Sequence, residues 1–311
     1  MLDSTPRAAG DLARYLCFAR KAGVDVDFHK IDKKLWGLAL EDLIYHHPLD
    51  VATFAAPQIA RAFPEAAYFQ TMMAVLAGLP PQSDDASFAA FRDDSALEVQ
   101  IVPRVGARAA LIGFCGRAQK MGMPLNLIHR WFGRLGVHVI YLRDYQSTTY
   151  DNGIRSLATD LTGTLRALRE IIADLGVKRL VCYGNSLGSY GALRYALELH
   201  AEAVLAFAGP TTLDPGFKDF SLLAQRRVAP GLDLRPLYHT ASHAPRAHIV
   251  FGELHAFDRA HAINFAGLPT VSLEMAPGCK SHEVFLYALF NGRYERLVQW
   301  LVDPHRGSRP P

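Results

Sequence analysis

Short apolar runs of strand length alternate with amphipathic helical stretches from about residue 95 of this 311-residue chain onward. Apolar residues recur every three or four positions through 154–175 and 187–200, which is the spacing of one helix face. Because parallel neighbouring strands need long crossover connections, this alternation predicts an α/β fold, with a mostly parallel central sheet and helices on both faces. The expected strands are 97–102, 109–114, 137–142, 179–183, 203–207, 248–251 and 270–274.

The first 95 residues have a different pattern, in which no strand alternation of any length occurs. Apolar residues recur at helical spacing in three stretches, 12–19, 36–44 and 66–79, and the third ends in Gly-Leu-Pro-Pro, which is typical of a helix end. The predicted division of the chain is a helical N-terminal segment at 1–95, an α/β domain at 96–305 and a disordered tail at 306–311.

Composition narrows the class of protein. Half of the residues are hydrophobic and 20% are charged, which excludes a largely disordered chain. The formal net charge of +3 gives no argument for a nucleic-acid partner. Four cysteines in so long a chain do not indicate a disulfide framework and fit a reducing compartment. No apolar run approaches the ~20 residues of a membrane span, and Asp3 and Asp11 interrupt any signal-like start. We therefore expect a cytoplasmic protein without a membrane span.

One loop combines a strand end, a tight turn and a helix start. Gly184-Asn185-Ser186-Leu187-Gly188 has the pattern G-x-S-x-G and lies between an apolar strand and an amphipathic helix. This context requires a turn so tight that the serine adopts a strained backbone conformation with its hydroxyl exposed. An ordinary glycine-rich turn is the alternative. A dinucleotide-binding loop fits less well, because the glycines at 184, 188 and 191 do not follow G-x-G-x-x-G.

From about residue 96 to 303 the chain resembles the α/β-hydrolase fold superfamily, in particular its serine esterases and acyl hydrolases. The resemblance rests on the turn at Ser186, the strand–helix alternation and the residues that follow. The first ninety-odd residues carry no motif of that family. Its members have the chain order serine, acid, histidine, with the acid after a late strand and the histidine after the last strand. The resemblance therefore implies a catalytic triad with Ser186 as the nucleophile.

The expected base is His282, which lies after the last predicted strand and immediately before the helical stretch 284–301. His255 and His261 come one strand too early for this role. Cys279 and His282 are three residues apart and could share a metal ion, but no second such pair accompanies them, so we expect no metal site.

The acid is sought in the loop after the strand at 248–251. Glu253 and Asp258 both follow that strand, but Glu253 is close enough to its end to brace a loop instead. Asp258 has more reach and precedes a predicted helix at 259–265, where its alternative role is that of a helix cap. We favour Asp258, with Glu253 as the alternative acid and Asp214 as a distant third.

The resemblance also implies an oxyanion hole formed by two backbone N–H groups. The first belongs to Leu187, the residue after the nucleophile. The second is expected from the loop after the strand at 109–114, where Cys115 is our choice and Gly116 the alternative. Cys115 as a nucleophile in its own right is disfavoured, because it lacks the strand–turn–helix context of Ser186.

The implied reaction is acyl transfer through an acyl-enzyme on Ser186, with His282 acting first as base and then as acid. With water as acceptor the result is hydrolysis of an ester, expected to be a small-molecule or glycan-linked one, without a metal or organic cofactor. Two alternatives remain: an acyltransferase that uses the same triad, and a non-catalytic hydrolase-fold interaction protein. In each case the N-terminal helices could contact a protein partner or a second copy of the chain.

Overall fold

The seven apolar runs form strands of one sheet in the computed structural model, among the residues that it describes. The strands are β1 (Val99–Val102), β2 (Ala109–Phe114), β3 (His138–Leu142), β4 (Arg179–Asn185), β5 (Ala203–Phe207), β6 (Arg246–Gly252) and β7 (Val271–Ala276). Their order is β1-β3-β2-β4-β5-β6-β7. β1 is antiparallel to β3 and the remaining neighbours are parallel. The prediction of a mostly parallel α/β sheet is confirmed.

The chain divides into two units, Met1–Gln82 and Ser83–Pro311. The structure describes residues 5–81, 91–146, 149–217, 220–225 and 228–303. The units divide between residues 82 and 83, whereas the sequence pattern places the boundary between 95 and 96. The expected tail at 306–311 lies outside the described residues.

Residues 91–98 belong to the second unit because the buried side chain of Arg143, which follows β3, binds them. The Arg143 guanidinium pairs with the buried carboxylate of Asp93 and donates to the carbonyl of Leu97 at 3.1 Å. A third hydrogen bond reaches Oε1 of Gln100 in β1, at 2.9 Å. A buried charge needs such partners, so this arginine holds the entry to the sheet in place.

Within its described residues, the first unit is helical. The helices are α1 (Thr5–Ala22), α2 (Lys33–His46), α3 (Leu49–Ala62) and α4 (Ala67–Ala77). Asp32 caps α2 by accepting the Lys34 N–H at 2.8 Å, and the indole of Trp36 donates to the Phe28 carbonyl at 2.8 Å in the interior. The predicted N-terminal helical segment is confirmed. It also contains α3, which the sequence reading missed because Pro57 interrupts the stretch.

The described helices of the second unit cover both faces of the sheet. They are α5 (Leu125–Phe132), α6 (Leu161–Asp174), α7 (Leu187–Glu198), α8 (Phe220–Gln225), α9 (Leu234–Thr240), α10 (Ala256–Asn264), α11 (Val284–Phe290) and α12 (Tyr294–Val302). α6 begins at 161 rather than 154, because Asp160 caps it. The stretch expected at 284–301 is two helices, separated at Gly292, whose φ is +65°. No helix formed by the described residues is both long enough and apolar enough to cross a bilayer.

The central strands are buried on both faces, as continuous apolar runs in a parallel sheet are. The parallel strands β4, β5 and β6 are adjacent, so their carboxyl ends lie at the same edge of the sheet. The loop after β7 joins them there, because β7 pairs in parallel with β6. This edge therefore brings together loops that are far apart in the sequence.

Candidate active site

The turn between β4 and α7 holds Ser186 in a conformation that side chains rarely adopt. Ser186 has φ +56° and ψ −128°, and its N–H donates to the Phe207 carbonyl at 2.9 Å. Glycine is required on each side: a Cβ on Gly184 would lie 2.4 Å from the Gly188 carbonyl oxygen, and a Cβ on Gly188 would lie 2.2 Å from that of Phe114. Backbone strain of this kind is concentrated at functional sites. The half-buried serine is thereby presented at the sheet edge.

His282 lies beside Ser186, although 96 residues separate them in the chain. The imidazole Nε2 is 2.7 Å from the Ser186 hydroxyl. The loop between β7 and α11 carries the histidine, whose side chain retains 28% of its exposure to solvent. A serine hydroxyl and an imidazole at this distance have the geometry of a nucleophile and its base.

Asp258 contacts the other nitrogen of the same imidazole. Its two carboxylate oxygens are each 2.9 Å from Nδ1 of His282. A carboxylate only accepts hydrogen bonds, so Nδ1 carries the proton, and Nε2 is left free to accept the proton of Ser186. The structure thus brings together Ser186, Asp258 and His282 in one hydrogen-bonded chain.

Asp258 is almost fully buried in the first turn of α10. Burial alone would raise the pKa of its carboxyl group, but hydrogen bonds from His255 and His282 lower it further than burial raises it, so the pKa lies below its usual value. The carboxylate is therefore ionised at neutral pH, as an acceptor for the histidine N–H must be.

The two other candidate acids have different partners. Glu253 accepts the N–H of Gly278 through Oε2 at 2.7 Å, and so braces the loop that leads to His282. Asp214 accepts the N–H of Gly216 at 2.8 Å within its own turn. Both contacts are those of loop-bracing carboxylates.

The oxyanion donors predicted after β2 need a correction. The N–H of Cys115 donates to the Leu142 carbonyl at 3.0 Å, which extends the β2–β3 ladder by one residue, and the N–H of Gly116 donates to the Lys120 carbonyl at 2.8 Å. Both amides are therefore already hydrogen-bonded within the protein. Leu187 differs, because it is the first residue of α7, where an N–H has no acceptor within the helix.

The loop after β2 nevertheless lies against Ser186. A Cβ on Gly116 would be 3.1 Å from the Cβ of Ser186 and 3.0 Å from the Asn185 carbonyl oxygen. The Cys115 side chain is 2% exposed, and burial raises the pKa of its thiol to about 12, with Asp93 adding to the effect and Arg143 opposing it. A thiol with this pKa is not a nucleophile at neutral pH.

Tyr150, which the sequence analysis did not identify, contacts the backbone at the start of this loop. Its hydroxyl lies 2.8 Å from the Cys115 carbonyl and 2.9 Å from the Leu142 carbonyl, so it contacts both partners of the last β2–β3 hydrogen bond. The residue is buried and has φ +69°. No pattern in its surroundings marks it, because the contact joins segments that are 35 residues apart.

His255 is a second histidine on the same acid. Its Nδ1 is 2.8 Å from Oδ2 of Asp258, and its ring centroid is 5.3 Å from that of His282. Among the described residues, His255, Asp258 and His282 form the one group of three whose ligand atoms lie close enough to hold a metal ion, within 4.8 Å of one another. Cys279, whose spacing from His282 would allow a shared metal ion, contacts the Ser281 carbonyl at 3.5 Å.

The fold is recognisable from these elements. The sheet has a fixed order with one antiparallel edge strand, the serine turn follows β4, and the chain order is Ser186, Asp258, His282. This architecture is that of the α/β-hydrolase fold. We call the turn at Ser186 the elbow.

Comparison with known proteins adds distant structural neighbours. No protein-family model matches the chain, and no curated protein matches it. A hormone-sensitive lipase from a metagenome library is 15% identical, with 88% of this chain and 97% of that chain covered and a TM-score of 0.48. A monoacylglycerol lipase of Paleococcus ferrophilus is 16% identical, with 66% and 99% covered and a TM-score of 0.45.

A third neighbour is the capsule O-acetyltransferase of Neisseria meningitidis serogroup A. It is 14% identical, with 72% of this chain and 99% of that chain covered and a TM-score of 0.46. All three TM-scores are below 0.5, so the fold assignment rests on the sheet and the elbow. The chemistry has to be inferred from the geometry at Ser186.

Proposed function

We propose that this protein is a serine hydrolase, which cleaves an ester or a related acyl bond through an acyl-enzyme on Ser186. The observation that carries the proposal is the hydrogen-bonded chain from Ser186 Oγ to His282 Nε2, at 2.7 Å, and from His282 Nδ1 to Asp258, at 2.9 Å. The strained elbow that holds the serine is the second support.

The geometry supports a two-step reaction. As Ser186 Oγ attacks the acyl carbon, His282 Nε2 takes the hydroxyl proton, and Asp258 stabilises the imidazolium that forms. The same proton then passes to the leaving alcohol, and the acyl group remains on the serine. Water repeats the sequence, so that His282 activates the water and returns its proton to Ser186 as the acid departs.

The negative oxygen of each tetrahedral intermediate needs two donors. The N–H of Leu187 supplies the first in this proposal. For the second, the amides of Cys115 and Gly116 have acceptors within the protein, and that of Gln119 donates to the Gly116 carbonyl at 2.9 Å. We propose that the second donor comes from the same loop, which lies against Ser186.

We also propose a cytoplasmic location and a small-molecule or glycan-linked ester as the substrate class. All four cysteines are free thiols, which agrees with the reducing compartment expected from their number.

Steady-state hydrolysis of p-nitrophenyl acetate and butyrate tests the proposal. We expect Ser186→Ala and His282→Ala to lower kcat by about 10³-fold or more, and Asp258→Asn by a similar order. Ser156→Ala and His239→Ala are matched controls, since both side chains are exposed and contribute nothing to the site, and both variants should keep full activity. Equal rates for wild type and Ser186→Ala would contradict the proposal.

A further inference from the structure

We infer that His255 is a positioning residue, which donates its Nδ1–H to Asp258 and so fixes the carboxylate that orients His282. The inference rests on the proposed function, because positioning has meaning only if His282 acts as a base. It goes beyond the triad itself, which needs only three residues.

Nδ1 of His255 makes two contacts, one to a hydrogen-bond acceptor and one to a donor. It can donate in the first only if it carries the proton, and accept in the second only if it does not. Oδ2 of Asp258 lies 2.8 Å away, and the backbone N of Asp258 lies 3.3 Å away. A neutral imidazole nitrogen either donates or accepts. The shorter contact is to a charged oxygen, and hydrogen bonds to charged groups are the stronger ones, so Nδ1 carries the proton and donates to the carboxylate.

Asp258 needs this second donor because one ring alone does not fix its orientation. Nδ1 of His282 is 2.9 Å from both carboxylate oxygens, so this contact prefers neither of them. The terminal torsion of an aspartate side chain is broad and roughly two-fold. The bond from His255 to Oδ2, at 2.8 Å, adds a contact from a second ring and thereby fixes the orientation of the carboxylate.

The backbone holds His255 where this bond requires it. His255 is the N-cap residue of α10, and Asp258 lies in the first turn of that helix. The two rings, tilted by 38° with centroids 5.3 Å apart, enclose the buried carboxylate from two elements, α10 and the loop before α11. The titratable groups that face Asp258 are therefore His255, His282 and, one helical turn farther on, His261.

Substitutions at 255 can remove the hydrogen bond and then restore it. Ala has no donor for the Asp258 carboxylate, whereas Asn has an N–H that can reach it and an oxygen that can cap α10. We expect His255→Ala to melt within a few degrees of wild type but to lower kcat about tenfold with little change in KM. His255→Asn should restore kcat to within about threefold of wild type.

The pH dependence of kcat/KM would not change if His255 had a purely structural role, so it tests the positioning role. The acid limb of kcat/KM reports the protonation of His282. A carboxylate with one N–H donor fewer holds the His282 proton more tightly, so in His255→Ala the acid limb should move to higher pH by about half a unit to one unit. In His255→Asn it should stay near that of wild type.

The outcomes distinguish this inference from the proposed function. If Ser186 in wild type does not support hydrolysis, the function itself is wrong. If wild type hydrolyses the ester through Ser186 but His255→Ala keeps both the wild-type kcat and the wild-type pH profile, the positioning role is wrong and the function stands. Metal analysis of the purified protein provides a further check: a stoichiometric divalent ion, present in wild type and lost in His255→Asn, would overturn the positioning role in favour of a metal site.

Discussion

The elbow at Ser186 and the loop after β2 lie against each other, but they are determined in different ways. The elbow is specified by residues adjacent in sequence, since Gly184 and Gly188 remove side chains that would collide with nearby backbone. The loop depends on partners distant in sequence: the Cys115 N–H binds the Leu142 carbonyl, and the Tyr150 hydroxyl contacts the Cys115 carbonyl. A local steric requirement can be recognised in a sequence, whereas a hydrogen bond between separate segments cannot.

The largest effect should come from adding one methyl group at the elbow. In Gly188→Ala the new Cβ would meet the backbone oxygen of Phe114 at 2.2 Å and that of Cys115 at 2.7 Å, and neither atom can move without shifting β2. We expect the unfolding free energy to fall by about 3 kcal/mol or more, measured by urea denaturation.

Gly37→Ala is the control for this substitution. Gly37 lies in α2, and its added Cβ would make only ordinary contacts at 3.8 Å. Because alanine favours a helix, this variant should be as stable as wild type or more stable by up to ~1 kcal/mol. If Gly188→Ala and Gly37→Ala had the same unfolding free energy, the steric account of the elbow would be contradicted.

A smaller effect is expected from the support of the loop. Tyr150→Phe removes the hydroxyl that lies at hydrogen-bond distance from the Cys115 and Leu142 carbonyls. We expect a loss of about 1–2 kcal/mol in stability and, because the loop lies against Ser186, a decrease of several-fold in kcat for ester hydrolysis.

Tyr238→Phe separates these two consequences. Tyr238 is also buried and also donates to a backbone carbonyl, that of Leu193 at 3.0 Å, but it is not part of the loop after β2. Its substitution should cost similar stability and leave kcat unchanged. If both variants lower kcat equally, Tyr150 has no particular role at the site.

The smallest effect should be that of Cys115→Ala. The N–H of Cys115 binds Leu142 whatever its side chain is, and the buried thiol has a pKa raised to about 12. We expect kcat to change by less than about threefold and iodoacetamide at pH 8 to modify the more exposed Cys17 and Cys279 first. Inactivation that follows alkylation of Cys115 would restore the thiol as a candidate nucleophile.

Sequence patterns predicted the fold well because apolar periodicity and the glycines of tight turns can be recognised within a short stretch of sequence. Each of the seven strands corresponds to an apolar run, and the G-x-S-x-G turn lies between β4 and α7 as expected. The helix predictions were wrong where a single proline or glycine interrupts the apolar periodicity. Pro57 concealed α3, and Gly292 divided the predicted helix at 284–301 into two.

The candidate site likewise has a part that local patterns predict and a part that depends on distant contacts. The order of Ser186, Asp258 and His282 can be inferred from strand positions, because each residue follows a recognisable strand. The partner of each backbone amide cannot be inferred in this way, so the sequence assigned an oxyanion role to Cys115 that its bond to Leu142 rules out. His255 comes one strand too early to be the base, and its contact with Asp258 depends on the N-cap geometry of α10, which strand positions do not reveal.

Mass spectrometry after fluorophosphonate labelling tests the central claim most directly. The reagent acts on activated serines, so intact-mass measurement and peptide mapping report which serine, if any, His282 activates. We predict a single adduct per chain, located on the peptide that contains Ser186 and absent from Ser186→Ala. A protein that takes up no reagent, or takes it up equally in Ser186→Ala, would contradict the proposal that Ser186 is the nucleophile.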